Sequence, residues 1–248
     1  MLRKNPDATG VGISLPVEQG GHPFLLESAL RPRFVLHFAD ILYYQLQGSA
    51  EDPLAGHQLR PLPEGIARQF DLAMLDGHQL RIYRGPSMQV AEEWDRQRLL
   101  VAQFVIALRA VAIGGTLVVK LTHAEKENSA TWLLFLCSIS KRLTTWKPRT
   151  IHATRGTFYA IAQGVGIGGE EETLTEPIRL LEDIWHDISF GGEEGKGRPM
   201  NAGDYNAITR REEIMSTAGI ERLLELGRDP WTVQADALQR WFRQKRLI

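Results

Sequence analysis

Between residues 9 and 164 the chain alternates short apolar runs with longer stretches in which apolar residues recur every three or four positions. The runs TGVGISL (9–15), RFVLHFADI (33–41) and FDLAMLDG (70–77) are rich in β-branched and aromatic residues and predict strands, the third closed by the turn signal Asp76-Gly77. In EEWDRQRLLVAQFVIALRAVAIGG (92–115), Leu100, Phe104, Leu108 and Val111 recur at helical spacing, and Gly114-Gly115 supplies a stop. GTLVVKL (115–121) predicts a buried strand, because Leu117, Val118 and Val119 are consecutive and a helix cannot follow Gly115 so closely. NSATWLLFLCSISKRLTTWKP (128–148) predicts a second helix, with Asn128 or Ser129 as N-cap and Pro148 as its end, and GTFYAIAQG (156–164) a final strand.

Strands separated by helices of this length predict an α/β fold with a mostly parallel sheet and helices on both faces. Beyond residue 164 the alternation stops. TEPIRLLEDIWHDIS, REEIMSTAGIERLLELG and TVQADALQRWFRQKR predict helices, the first two joined by the glycine-rich FGGEEGKGRPMNAGDYN. The organisation expected is a sheet domain over 1–165 and a helical extension over 166–248.

Composition narrows the function classes. With 43% hydrophobic and 24% charged residues the chain reads as an ordinary folded domain, and its longest apolar run, WLLFLC, is too short to cross a bilayer. No membrane association is expected. One cysteine, Cys137, excludes an internal disulfide and a multi-cysteine metal site, and no two of the seven histidines stand at zinc-site spacing, so no metal is expected. The start of the sequence, 1–7, is polar and carries no secretory signal, which makes an intracellular location the default, with cytoplasm and nucleus not distinguished. A formal net charge of -1 leaves no overall positive field to gather nucleic acid, so any such contact must be local. Basic residues stand beside aromatics in SKRLTTWKPRT and RWFRQKRLI, each of which reads first as a solvated helix end.

In open α/β sheets ligands bind beyond the carboxyl ends of the strands, which singles out Ser14, Asp40, Asp76 and Lys120. Asp before Gly is also a common turn residue, and a lysine after two valines can snorkel to water. Lys120 nevertheless interrupts an apolar strand, where a buried ammonium is costly unless paired, and a carboxylate such as Asp76 would relieve that cost. His37, His78, His123 and His152 fall near strand ends, while Cys137 lies in an apolar stretch and reads as core. GVGIGG (164–169) fits G-x-G-x-x-G, but Glu170, Glu171 and Glu172 follow at once and no later strand is evident, so a nicotinamide reading ranks last. No G-x-S-x-G elbow and no G-x-x-x-x-G-K-[ST] loop occurs.

The succession FDLAMLDG, a long helix ending ALRAVAIGGTLVVKL, a further helix, then KPRTIHATRGTFYAIAQG resembles the FtsJ-like ribose methyltransferases over roughly the first two thirds of the chain. The resemblance implies a Rossmann-like sheet that binds S-adenosylmethionine and transfers its methyl group to an RNA ribose 2'-hydroxyl. It makes Asp76 the aspartate near the methyl donor, Lys120 the catalytic lysine and Asp40 the acid that hydrogen-bonds the adenine amino group. At the second strand, where the family carries an acid for the cofactor's ribose, this chain has Ser14, with Glu18 the nearest substitute. Thr157, ahead of Tyr159, replaces the late glutamate.

The resemblance also makes MLRKNP the end of the family's first helix, so the first strand and its glycine-rich loop are expected to be missing. In the family that strand lies between the second and fourth, and its loss leaves one strand spacing, about 4.8 Å to either side, unfilled. Two readings follow: an S-adenosylmethionine-dependent RNA methyltransferase, impaired or not, or an inactive methyltransferase fold kept as a binding or scaffold module, its sheet completed by a strand from a partner protein.

Overall fold

The computed structural model describes residues 1–47, 59–78, 95–166 and 172–246. Strands β1 (Gly10–Ser14) and β2 (Phe34–Phe38) pair in parallel, from Gly10 opposite Phe34 to Ser14 opposite Phe38. Between them the chain crosses over through two 3₁₀ turns, Val17–Gln19 and Ser28–Arg33. A parallel return needs such a crossover. Phe34 packs closely over β1: a Cβ at Gly10 or Gly12 would lie 2.7 or 2.9 Å from its ring and force it to shift.

A second sheet contains β3 (Phe70–Leu75), β4 (Val111–Thr122), β5 (Ser140–Trp146) and β6 (Thr157–Val165), in the order β3-β4-β6-β5. β3 and β4 are parallel, whereas β6 is antiparallel to both β4 and β5. The sheet is therefore mixed rather than mostly parallel. The cause is the short link between β5 and β6, which lets the chain fold back as a hairpin but is too short for a crossover. Neither β1 nor β2 hydrogen-bonds to this sheet.

Three local expectations change. Helix α1 (Asp95–Ala110) ends before the Gly-Gly pair, and β4 begins at once with Val111. Pairing shifts from Phe70–Val111 to Leu72–Thr116, so residues 112–115 bulge out of register, and Gly114 takes the positive φ of 84° that the bend demands. The predicted helix over 128–148 divides into α2 (Glu127–Ser138) and strand β5, because residues 140–146 pair with β6, from Ser140 opposite Val165 to Trp146 opposite Tyr159. Lys126 occupies the N-cap of α2, and Ser129 instead donates through Oγ to the Thr122 carbonyl at 2.6 Å, tying the helix to the end of β4.

Burial is one-sided. Leu117, Val119, Leu121, Phe158, Ala160, Ala162 and Leu143 face a core shared with Phe104 of α1 and with Trp132 and Phe135 of α2. Phe104 stacks on Trp132 with centroids 4.4 Å apart, and Phe135 meets both edge-on. The opposite face, bearing Met74, Val118, Ile161 and Trp146, is half-exposed or exposed, so among the described residues the cover expected on both faces is found on one.

Helices α3 (Glu172–Phe190), α4 (Ala202–Ile208), α5 (Arg211–Met215) and α6 (Thr217–Gln244) follow. Leu174, Leu181, Ile184, Trp185 and Ile188 of α3 enter the same core as the sheet. The last predicted helix joins the second part of the one before it: α6 runs unbroken from Thr217 through Pro230, while Arg211–Met215 form the separate α5. Proline lacks the N–H that would bond to the carbonyl four residues earlier, that of Leu226. Here Thr145 of β5 supplies the missing donor, its Oγ1 lying 2.5 Å from the Leu226 oxygen, and Arg222 donates to the Leu143 carbonyl at 2.8 Å. The helix thereby covers the edge strand. Thr145→Val, which keeps the shape and removes the donor, is expected to lower stability by about 1–2 kcal/mol in urea unfolding. An unchanged midpoint would show that Leu226 finds another donor. No helix among the described residues is long and apolar enough to cross a membrane.

Candidate functional site

β3 and β4 run in parallel and in register, so the residues that end their apolar runs arrive side by side. Lys120 Nζ lies 2.8 Å from Asp76 Oδ1 and donates to the Asp76 carbonyl oxygen at 2.6 Å. Its third neighbour is His78 Nδ1 at 3.1 Å. An ammonium has three protons and only donates, so Nδ1 accepts and the imidazole carries its proton on Nε2. The lysine side chain is 15% exposed and the aspartate 51%, placing the pair at the mouth of the sheet rather than within the core.

β6 adds the next member. Tyr159 is the cross-strand neighbour of Lys120, and its hydroxyl donates to Asp76 Oδ1 at 3.3 Å. Burial, reinforced by the Asp76 charge beside it, raises the Tyr159 phenol above its ordinary range. On β5, Trp146 pairs with Tyr159, the rings 6.1 Å apart. One row thus crosses the sheet: Asp76, Lys120, Tyr159, Trp146.

The backbone at Asp76 is braced from α1. Gln103, 7% exposed, accepts from the Gly77 N–H at 2.8 Å and donates to the Gly77 carbonyl at 3.3 Å. A Cβ at Gly77 would come 2.8 Å from Gln103 Oε1, so a side chain there would displace the bracing amide. Its signal in the sequence is an amide in the apolar run LLVAQFVIAL.

Ser14 and Asp40 lie together at the ends of β1 and β2, apart from the Asp76–Lys120 pair: no hydrogen bond or ion pair joins the two sets among the described residues. Asp40 caps the 3₁₀ turn Ile41–Tyr43, its Oδ1 accepting from the Leu42 N–H at 2.9 Å. Burial pushes its carboxyl above the usual range, against the Leu42 hydrogen bond and the charges of Arg98 and Arg60. Ser14 Oγ makes one long contact, 3.5 Å to the Leu15 carbonyl. Both therefore keep hydrogen-bonding capacity for a ligand, Asp40 as acceptor and Ser14 as donor and acceptor.

Lys147, between Trp146 and Pro148, is 1% exposed. Its ammonium donates to the carbonyl oxygens of Thr157 at 2.6 Å, His152 at 3.4 Å and Arg155, closing the loop between β5 and β6. Burial lowers its pKa. Thr157 begins β6 opposite Thr122, and its carbonyl serves Lys147 rather than the Asp76–Lys120 pair. His123 meets Glu125 Oε1 at 2.9 Å, and Glu125 also accepts from Trp231 Nε1 at 3.2 Å. No group of three or more metal-ligating side chains occurs among the described residues. A cavity of about 420 Å³ lined by Leu62, Ile66, Arg68 and Arg109 lies at the opposite end of β3 from Asp76. In GVGIGG, residues 167–169 lie outside the described residues, as do Glu170 and Glu171.

The fold and site define an α/β protein with a mixed sheet and a lysine–aspartate pair at the carboxyl ends of two parallel strands. No protein-family model and no curated protein matches the sequence. One solved structure with a likeness, titled "Alphavirus P23pro-zbd", is 16% identical and superposes with a TM-score of 0.36 over 80% of this chain and 26% of that one. The chain spans about a quarter of that protein's length, and a likeness this slight bears on neither fold nor activity.

Proposed function

We propose that the protein is an S-adenosylmethionine-dependent methyltransferase of the FtsJ-like type, acting on a ribose 2'-hydroxyl of RNA. The observation that carries the proposal is the Asp76–Lys120 pair, at the two positions where the resemblance in sequence calls for it. The strand order supports it. Counted as in that family, β1 and β3 are the second and fourth strands, and among the described residues each has one edge without a strand partner.

The residues fit the cofactor in part. Asp40, half-buried and with acceptor capacity to spare, suits an adenine amino group, and Ser14 suits a ribose hydroxyl. When bound, S-adenosylmethionine supplies an electrophilic methyl group on a cationic sulfur, to which the Asp76 carboxylate is electrostatically suited. This chain's own residues handle the acceptor. Lys120, held by Asp76, orients the incoming hydroxyl by giving it the hydrogen bond now made to His78, the one partner of the three that is not Asp76 itself. His78 Nδ1, an unprotonated acceptor released at that moment, takes the hydroxyl proton.

A second reading is favoured by one fact: all three protons of Lys120 are satisfied within the chain, as in a lysine with a structural role. An inactive binding or scaffold module would look the same. Isothermal titration with S-adenosylmethionine separates the two. Saturable heat at micromolar to millimolar cofactor is expected, whereas none at millimolar would leave the binding module.

A further inference from the structure

The stretch SKRLTTWKPRT, which reads in sequence as a solvated helix end, is strand β5 and the start of the loop leading to β6. Trp146 stands at the carboxyl end of β5 with 53% of its surface exposed. A tryptophan so exposed forgoes about half of the gain from burial. Its ring is nonetheless positioned, tilted against Tyr159, which touches Asp76, which holds Lys120. Lys120, Tyr159 and Trp146 occupy neighbouring strands in direct register. The tryptophan is thus two strand spacings, about 10 Å, from the lysine on the same face.

The loop beyond is basic and ordered from within. Arg149, His152 and Arg155 are exposed, and no carboxylate pairs with them among the described residues. Underneath, Lys147 gathers the carbonyls of His152, Arg155 and Thr157, so the loop's shape does not depend on a ligand. An exposed aromatic followed by arginines without a carboxylate partner among the described residues matches single-stranded nucleic acid, whose bases stack and whose phosphates seek cations. It fits an apolar protein partner poorly, since the loop that follows the tryptophan carries exposed Arg149, His152 and Arg155.

We infer that Trp146 is a stacking platform for a nucleobase of single-stranded RNA, with Arg149 and Arg155 on the adjoining phosphates, seating the strand so that a sugar reaches Lys120. The inference takes its class of ligand from the methyltransferase reading and adds the surface that positions the strand. Binding here does not require the cofactor.

The test is fluorescence anisotropy of a labelled single-stranded RNA decamer of mixed sequence with the full chain, at low salt and without S-adenosylmethionine. Trp146→Ala is expected to weaken binding about tenfold, with Trp146→Phe recovering most of the loss and both variants melting where the natural chain does. Raising salt should weaken all three alike. Equal affinity of Trp146→Ala and natural chain, or no binding of RNA by the natural chain, would overturn the inference. Tryptophan-dependent RNA binding without cofactor heat in the titration above would retain the platform and discard methyl transfer. Cofactor heat with tryptophan-independent RNA binding would do the reverse.

Discussion

Replacing Lys120 by alanine is expected to lower methyl transfer on the order of a thousandfold while leaving the affinity for S-adenosylmethionine close to that of the natural chain. The separation of effects follows from position. Lys120 faces Asp76 and His78, whereas the groups suited to adenine and ribose, Asp40 and Ser14, lie at the ends of the other sheet. Asp76 is half exposed, so the ion pair is solvated and contributes at most about 1 kcal/mol to folding. The variant should accordingly melt within a few degrees of the natural chain, which separates a catalytic from a structural lysine. Arginine at this position is not expected to restore activity, because a planar guanidinium cannot place donors on Asp76 Oδ1, the Asp76 carbonyl and an incoming hydroxyl as a tetrahedral ammonium does. Loss of cofactor binding and activity together, with a lowered melting temperature, would mean that the lysine serves the fold.

Replacing Lys147 by methionine is expected to destabilise the chain by about 3 kcal/mol or more, the largest stability effect of any single change considered. The side chain is buried, and its removal strands the carbonyl oxygens of His152, Arg155 and Thr157, each of which then has to find water or remain unsatisfied. The effect depends on pH. Burial holds the folded-state pKa of Lys147 below its unfolded value of 10.5. Between the two values the unfolded chain binds more protons than the folded one, so the natural chain gains stability there as pH rises. The methionine variant has no such gain. The gap between them should be flat below the folded pKa and widen as pH rises toward 10.5, read by urea unfolding at a series of pH values. A difference below about 0.5 kcal/mol would show that the loop rearranges at little cost. Since the loop carries Arg149 and Arg155, the same variant is expected to bind single-stranded RNA less well even where it remains folded.

Much of the sheet was legible because its determinants are local. The strands at 9–15, 33–41 and 70–77 announce themselves by β-branched runs with turn residues after them, and α1 by a long apolar stretch in which Leu100, Phe104 and Leu108 recur at helical spacing. Asp76 and Lys120 were pairable on paper because each ends an apolar run of a βαβ unit, and parallel strands bring such ends together. Strand β5 was not legible. The apolar run of α2 passes into SISKRLTTW without glycine or proline, and what makes 140–146 extended is hydrogen bonding to β6, with Leu143 opposite Ala162 and Trp146 opposite Tyr159. The unbroken α6 was hidden for a similar reason, since Pro230 marks a break unless a distant donor such as Thr145 meets the freed carbonyl.

Local pattern alone therefore settled which segments could bury a face, where a charged residue interrupted one, and which strand ends carried acids and a lysine. Tertiary pairing decided the rest: the direction of β6, the one-sided cover of the sheet, the row from Asp76 through Lys120 and Tyr159 to Trp146, and the burial of Lys147 beneath the loop that follows it. These depend on register between strands far apart in sequence and on carbonyl groups that every residue has. Side-chain periodicity carries no trace of either.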